Sequence, residues 1–384
     1  MLHPRVGLLA LLCALGASAV EPQADLAPLG LRTQGTLREL FLDVTSADAR
    51  APATLSLDVR YSLANDWGIP TTVTRGTTAV VQELDEQADS LSIAVRSPWS
   101  RFLGPGPQIL GKPLWARLSS SLEVRATLHW GGWSDGAIEA WHDVSGAFNF
   151  KRSEYPRNQL ALSLGEPGGR ALFDVRTSTL AINDPVVRTQ LSLLEGGVSS
   201  GALTAEGQLR SAWGVSLRLD VKPPLGLLRR LGGSGGWDGG IALLATAELT
   251  SWLTAHAMGS LSAFSSWSAD FPLQPKPWHT SFDLSLAAGW HGWAFVIEDR
   301  AVSPLLMPGW DRVESGGNDG LLASTLFGSF RTHNQVTWAV RKSGFTVWFS
   351  EDFTPGANPR STLKWLYNSN APDVVLGVAY ARPL

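Results

Sequence analysis

The chain has 384 residues, of which 44% are hydrophobic and only 17% are charged, and its formal net charge is −3. The hydrophobic fraction excludes an intrinsically disordered chain, and the small negative charge argues against a nucleic-acid binder, which normally carries a strongly basic surface. The 39 glycines and 17 tryptophans disfavour a coiled coil or a helical repeat.

The first nineteen residues have the pattern of a secretory signal peptide. Arg5 is followed by the apolar run 6–15 and then by Ala17-Ser-Ala19, a small-residue cleavage pattern. We therefore predict export and cleavage after Ala19. The single cysteine, Cys13, lies inside this segment, so the mature chain would have no thiol for a disulfide, a thiolate metal site or nucleophilic catalysis. An exported protein of this size without disulfides points to the bacterial envelope.

Apolar and polar residues alternate through most of the remaining chain. The segments 55–63, 118–130 and 213–221 each place apolar side chains at every second position, which is typical of a strand with one apolar and one polar face. Clusters of Gly and Pro separate these segments, as turns require. We predict an all-β fold of about 12 to 16 antiparallel strands.

A soluble β-sandwich and a transmembrane β-barrel share this alternation, and tryptophan distinguishes them. Many of the strand-like segments have the roughly 9–11 residues that a tilted strand needs to cross a bilayer. Tryptophans recur near the segment ends, as in an interfacial aromatic girdle: Trp67, Trp99, Trp115, Trp130, Trp213, Trp252, Trp278, Trp290 and Trp293. We therefore predict an antiparallel transmembrane β-barrel, with a soluble β fold holding a tryptophan-rich core as the alternative.

The segment from Gly239 to Ser268 is almost continuously apolar and tests that interpretation. Hydropathy alone would permit a transmembrane helix there. Its glycine-rich start and its Thr and Ser residues favour a hairpin, and a single helix would fit poorly among barrel strands. We predict a β-hairpin.

Four strands carry an acid and an arginine two positions apart, which places both side chains on the polar face. Because an arginine facing lipid near the midplane costs about 2–4 kcal/mol, we expect these pairs to face a lumen. They line an open, charge-balanced pore or form a network that closes a narrow barrel. The pairs are Asp58 with Arg60, Glu123 with Arg125, Asp174 with Arg176, and Arg218 with Asp220.

Motifs for catalysis and metal binding are weak. Gly232-Gly-Ser234-Gly-Gly236 fits the Gly-x-Ser-x-Gly pattern but lies in a glycine run without the strand–turn–helix context of a nucleophile elbow, so we interpret it as a loop. No His-Glu-x-x-His pair and no phosphate-binding Gly-rich loop is present. We predict a protein that is not an enzyme and has no cofactor or metal.

The segment 131–158 combines apolar and polar residues at helical spacing. Ile138 and Trp141 lie three apart, and Glu139, His142 and Asp143 would share the polar side. These three residues could form a metal or acid–base cluster, although capping and anchoring is the simpler role. A segment of mixed character fits against the inner wall of a barrel, so we predict that it folds into the lumen and restricts the pore.

This segment also carries a resemblance to a known family. The order Asp135-Gly136, Glu139, Trp141-His142-Asp143 and Asn158 resembles a bacterial family of predicted Gram-negative outer-membrane β-barrels, catalogued as a domain of unknown function. The blocks 183–188 and 232–238 look like further blocks of that family. The resemblance implies the fold and the outer membrane, and it supplies no activity. The chain departs from the family at Arg32-Thr-Gln34 and lacks the terminal aromatic residue read by the insertion machinery.

Together these observations predict a signal peptide at 1–19, an N-terminal segment at 20–53 and one outer-membrane barrel at 54–384. The leading function is a passive channel or small-molecule conduit. A non-conducting structural or adhesion barrel that acts through its loops is the alternative, and a barrel-borne hydrolase is a remote third. The expected partners are outer-membrane lipid, the barrel assembly machinery and a small solute, and no nucleic acid is expected.

Overall fold

A computed structural model describes residues 25–32, 36–51, 54–109, 112–145, 155–199, 211–265, 271–305, 311–313, 333–352 and 374–384. The predicted signal peptide lies outside the described residues. In the described part of the chain, no helix is long and apolar enough to cross a membrane.

Strands dominate the described chain. They are β1 Ser56–Arg75, β2 Thr78–Pro98, β3 Gln108–Ile109, β4 Lys112–Pro113, β5 Leu118–Trp130, β6 Ala161–Gly165, β7 Ala171–Val175, β8 Thr179–Ile182, β9 Val186–Gly196, β10 Trp213–Lys222, β11 Asp238–Thr250, β12 Leu253–Ala263, β13 Trp278–Trp290, β14 Trp293–Val302, β15 Asp311–Val313, β16 His333–Lys342, β17 Phe345–Asp352 and β18 Val374–Pro383. The helices are short: α1 Thr36–Glu39, α2 Ser100–Leu103, α3 Leu114–Arg117, α4 Asp135–Ser145 and a 3₁₀ turn at Leu228–Arg230.

Twelve of these strands close into one antiparallel barrel. Their order around the barrel is β1, β18, β17, β16, β14, β13, β12, β11, β10, β9, β5 and β2, and β2 pairs with β1 to complete the ring. Closure leaves no sheet edge inside the ring, which a strand-built membrane protein requires. The predicted all-β antiparallel barrel of about 12 to 16 strands is confirmed.

The hairpin predicted within Gly239–Ser268 is also confirmed for its described residues, 239–265. β11 and β12 pair across a turn at Ser251 and Trp252. The alternation of burial distinguishes a strand from a helix here, because Ala242 and Leu244 are buried inside the barrel while Leu243 between them is 54% exposed. A helix would have divided these residues between its faces with a period of 3.6.

Apolar side chains cover the outer face of the barrel. Residues that directly oppose each other across strands, such as Leu217 with Leu243 and Ile241 with Leu261, point outward and stay exposed. A continuous exposed apolar belt of this kind marks a membrane-facing surface. Tryptophans lie at the rims, among them Trp213, Trp252, Trp278, Trp290 and Trp293, each more than a third exposed. The barrel is therefore a transmembrane one.

The two ends of the barrel differ. At one end, the short-turn end, β13 and β14 join through His291-Gly292, and β16 and β17 join through Ser343-Gly344. All four residues have positive φ, from 46° to 83°, as two-residue type I′ hairpin turns require. At the other end, the long-loop end, strands are joined by segments such as 223–237 and 303–332. The β1 start and the β18 end lie together at the short-turn end.

β1 and β2 continue past the ring at the long-loop end. They have 20 and 21 residues, about twice what a tilted strand needs to cross a bilayer. Beyond the ring they pair with β15 and β6, and β6 pairs with β7. Leu84, Leu162, Leu164 and Phe173 on this extension are buried in the main apolar cluster. The extension therefore covers part of the barrel mouth.

We expect Leu243→Arg to impair assembly, because it would place a cation in lipid at a cost of about 2–4 kcal/mol near the midplane. Leu243→Phe, which keeps the position apolar, is the control. The measurement is the fraction of protein that migrates as the compact, unheated form in a detergent gel. Equal assembly of both variants would contradict the outward placement of this face.

Candidate functional site in the lumen

The lumen is occupied by residues 25–32 and 36–51, which together we call the lumen segment. Near its start, Leu26 and Ala27 contact side chains of β12 and β16 close to the short-turn end. Arg38 in α1 reaches the carbonyl of Ser303 at the long-loop end. The chain then returns, and the N–H of Ala51 bonds to Glu195 near the short-turn end. The lumen segment therefore has two arms inside the barrel: the first arm, residues 25–32, runs toward the long-loop end, and the second arm, residues 43–51, returns to the short-turn end.

Arginines on the barrel wall hold the lumen segment mainly by its backbone. Five strands each contribute a guanidinium that donates to a carbonyl oxygen of the segment. The pairs are Arg60 with Gly30 (2.8 Å), Arg125 with Glu39 (3.3 Å), Arg218 with Thr45, Arg300 with Val44 (2.7 Å) and Arg341 with Pro28 (3.0 Å). These contacts satisfy carbonyls that have no strand partner, as buried backbone requires.

One wall arginine joins both arms through carboxylates. Arg300 forms ion pairs with Asp43 of the lumen segment and, at 2.8 Å, with Asp283 of β13. Next to it, Glu298 accepts hydrogen bonds from the Leu29 N–H (3.0 Å) of the first arm and from the Ser46 hydroxyl (2.9 Å) of the second. The side chains that form this cluster are charged or polar and are all buried: Asp43, Ser46, Asp283, Glu298 and Arg300. The cluster must therefore balance its own charge.

A second network crosses the wall from β10 to β5. Asp220 lies 2.9 Å from Arg218 and 3.4 Å from Arg188, and Arg188 reaches Glu123 at 2.7 Å. Glu123 also lies 3.8 Å from Arg32 of the lumen segment. Most of this network joins wall to wall, and only its last member belongs to the segment.

The structure brings together some of the predicted charge pairs and separates others. Asp58 and Arg60 bond to each other at 2.8 Å, and Arg218 pairs with Asp220. Glu123 and Arg125 take different partners, because Arg125 turns to Glu39 of the lumen segment at 3.4 Å.

The fourth pair lies elsewhere. Asp174 and Arg176 are on and just after β7, outside the closed ring, and both side chains are about half exposed. Arg176 bonds to Asp174 at 2.7 Å and to Glu83. Partial burial alone would lower the pKa of Arg176, but the hydrogen bonds and charges of these two carboxylates raise it. The charge pattern is the same as on the barrel strands, so the sequence alone did not separate this pair from the others.

A buried lysine anchors the long-loop end. Lys222 Nζ contacts Asp184 (2.6 Å), Ser234 (3.0 Å) and Asp238 (3.0 Å). Asp238 in turn accepts the N–H of Leu42 in the lumen segment at 3.0 Å. Ser234 is the serine of the Gly-Ser-Gly run and has no exposed surface, so it holds a loop in place.

An apolar cluster surrounds the turn between the two arms. Leu40, Phe41 and Leu42 are at most 1% exposed, and the ring of Phe41 lies 4.8 Å from that of Phe264. The same cluster includes Leu231 and residues of the β1–β2 extension. The lumen segment is thus part of the protein core at this end.

The segment 131–158 occupies a different place from the lumen that the sequence predicted for it. In its described part, Asp135 bonds to Asn65 at 2.9 Å, and the Trp141 ring lies 5.5 Å from that of Phe349. Phe349 shares the outer face with the exposed Val347. Helix α4 therefore packs on the outer side of the rim, and the chain inside the lumen is 25–32 and 36–51. Composition alone could not distinguish rim from lumen, because both offer an apolar and a polar side.

The family-like motif residues make local contacts around this helix. Asp135 also accepts the N–H of Asn158, and Glu139 pairs with Arg157. Trp141 Nε1 donates to Glu351 at 3.3 Å. Gly136 and Asp143 are exposed, and the side chain of His142 lies outside the described part. No cluster of three metal-ligating side chains occurs among the described residues.

Comparisons place the chain beside proteins of the outer membrane at low similarity. An outer-membrane channel from Pseudomonas putida F1 is 13% identical with a TM-score of 0.41, over 89% of this chain and 100% of that one. The NanC porin is 9% identical with a TM-score of 0.39, over 85% and 97%. The transport unit of the autotransporter AIDA-I from Escherichia coli is 5% identical with a TM-score of 0.32, over 86% and 90%. No protein-family model and no curated protein matches the sequence.

We expect Arg300→Gln to lower the free energy of unfolding by about 3–5 kcal/mol, because it leaves the carboxylates of Asp43 and Asp283 buried without their cation. Arg176→Gln is the matched control and should cost at most about 1 kcal/mol, because that ion pair is half exposed. Urea unfolding in lipid vesicles measures both. A loss below about 1 kcal/mol for Arg300→Gln would contradict its central place.

Proposed function

We propose that this protein is an outer-membrane barrel that conducts small solutes passively and is held shut by its own lumen segment. The observation that carries the proposal is the wall itself. Its ion pairs between Asp58 and Arg60, Arg218 and Asp220, and Arg300 and Asp283 join one wall residue to another. These pairs persist when the lumen segment leaves, so the emptied lumen keeps a polar, charge-compensated wall that water can wet.

The way the lumen segment is bound supports reversible closure. Many of its contacts to the wall are hydrogen bonds to backbone carbonyls, as with Gly30, Val44 and Thr45. Water can replace such partners on both sides, so each of these bonds, donated by a charged guanidinium, contributes about 1.5–3 kcal/mol net. The apolar turn of Leu40, Phe41 and Leu42 is the costly part of the segment to release, and the stretches held through backbone carbonyls can exchange their partners for water.

The outer membrane is supported by three features of the chain. The first nineteen residues have an export signal pattern, and the barrel carries an apolar outer belt. The third is the difference between its ends, with tight turns such as Ser343-Gly344 at one end and long connections at the other, as in outer-membrane barrels.

A structural barrel that acts through its loops is the second candidate. It is favoured by the filled lumen and by the β1–β2 extension, whose Leu84 and Val80 are buried over the barrel mouth. In this case the lumen segment would be a permanent core, and the barrel would serve to display the long-loop end.

Single-channel conductance in planar bilayers separates the two candidates. We expect the mature chain to open rarely, and a variant lacking residues 25–50 to conduct continuously. The compact form of that variant in a detergent gel verifies that it has folded. A folded deletion variant that does not conduct would leave the structural barrel as the function.

A disulfide tests the same point in the full chain. A Cβ built on Gly240 of β11 lies 2.5 Å from Cγ2 of Val44, so Val44→Cys with Gly240→Cys should join the lumen segment to the wall in a mature chain that has no other thiol. We expect oxidation to abolish openings and reduction to restore them. Each single-cysteine variant under the same oxidant is the control. Openings that continue with the disulfide formed would contradict gating by the segment.

A further inference from the structure

An apolar sector interrupts the polar inner wall at one level of the barrel. Ala287, Val296, Ala339, Trp348 and Gly377 directly oppose one another in sequence across β13, β14, β16, β17 and β18. Residues opposed in this way point to the same side of a sheet, and all five are buried inside the barrel. Gly377 leaves room for the Trp348 ring.

The same level is polar on the strands that flank this sector. Gly377 continues in register to Ser62 of β1, Ser90 of β2 and Thr127 of β5, and on the other side Ala287 opposes Thr254 of β12. At this level of the barrel, the apolar residues of the inner wall are therefore confined to five neighbouring strands. Neither closing the barrel nor keeping its lumen wet requires apolar residues on only one side of the inner wall.

The first arm of the lumen segment covers the sector. Leu29 is 2% exposed and belongs to the same cluster as Ala287, Val296, Ala339 and Trp348. Leu26 and Leu31 of the same arm pack at its margin. The sector is thus a groove whose small residues accept apolar groups of a bound chain.

Arg341 lies immediately beside the sector, two residues from Ala339 toward the short-turn end. Its guanidinium donates to the carbonyls of Ala27 and Pro28, and it lies 3.6 Å from the carboxylate of Asp25. In the described part of the chain, its hydrogen bonds and its ion pair all go to the lumen segment. Its opposed neighbours, Ala294 and Thr346, carry no charge. Once the first arm leaves, Arg341 has no ion pair with a wall carboxylate, although Glu298 of β14 lies near enough for the two charges to interact.

We propose that this groove binds a small hydrophobic carboxylate, such as an aromatic acid, in competition with the first arm. The carboxylate takes the place of Asp25 and the backbone oxygens on Arg341, whose planar fork suits it. The apolar body takes the place of Leu29 against Ala339 and Trp348. The inference rests on the proposed function, since it names the solute of the opened lumen.

Calorimetric titration of the full mature chain with benzoate tests the groove without any measurement of conductance. Leu29→Ser loosens the first arm, so we expect it to bind benzoate about tenfold more tightly than the unchanged chain. Leu26→Ser is a second loosening variant, and migration of the compact form in a detergent gel shows that each has folded. Absence of benzoate binding to both folded variants would overturn the proposal.

Two controls separate the groove from unspecific binding. In the Leu29→Ser chain, Arg341→Gln should weaken benzoate binding at least about tenfold, whereas Arg96→Gln, the same change elsewhere on the inner wall, should leave it within about twofold. Benzyl alcohol, which keeps the ring without the charge, and acetate, which keeps the charge without the ring, should both bind more weakly. Equal effects of the two arginine variants, or equal binding of benzyl alcohol, would overturn the site. Benzoate binding in a chain that never conducts would keep the site and reject the conduit.

Discussion

Every backbone and side-chain polar group inside a membrane barrel must find a partner without help from lipid, and this constraint decides how the lumen is filled. Twelve strands enclose a space that their own side chains do not fill here, and the lumen segment fills it. Wall arginines such as Arg300 and Arg341 then provide donors for its carbonyls. Closure of the ring, polarity of the wall and the path of the segment are consequences of the same requirement.

The charges of the wall fall into two groups with different consequences. One group pairs within the wall, as Arg218 does with Asp220, and is independent of the lumen segment. The other depends on the segment, as Arg125 does on Glu39 and Arg341 on Asp25. The charges of the first group keep their partners in an emptied lumen, so they add no unpaired charge there. The second supplies the groups that a solute would compete for under the proposed function, so the proposal assigns conduction and recognition to different residues.

The strands could be predicted from the sequence because each depends on a local pattern of period two, visible in Leu243 and its neighbours and in the hairpin of β11 and β12. The lumen segment could not, because its structure depends on distant partners. Leu29 bonds to a residue 269 positions away, and Arg341 reaches back 313 positions to Pro28. Within residues 25–51 only Leu37, Leu40, Phe41 and Val44 have helical spacing, and this two-turn pattern does not predict a path through a barrel. The pairing of Arg125 with Glu39 instead of Glu123 was hidden for the same reason.

The two arms of the lumen segment are held by different forces, and this difference sets the order in which they can leave. The second arm is joined covalently to β1 and carries the buried pair of Asp43 with Arg300, whose separation would strand charges in a region of low dielectric. The first arm is held by Leu29 in an apolar groove and by carbonyl contacts to Arg341, which water or an anion can replace. Release of the first arm alone uncovers the groove while the second arm stays in place. Under the proposed function, a solute that fits the groove stabilises the state with the first arm released, which is how a ligand biases an equilibrium between two conformations.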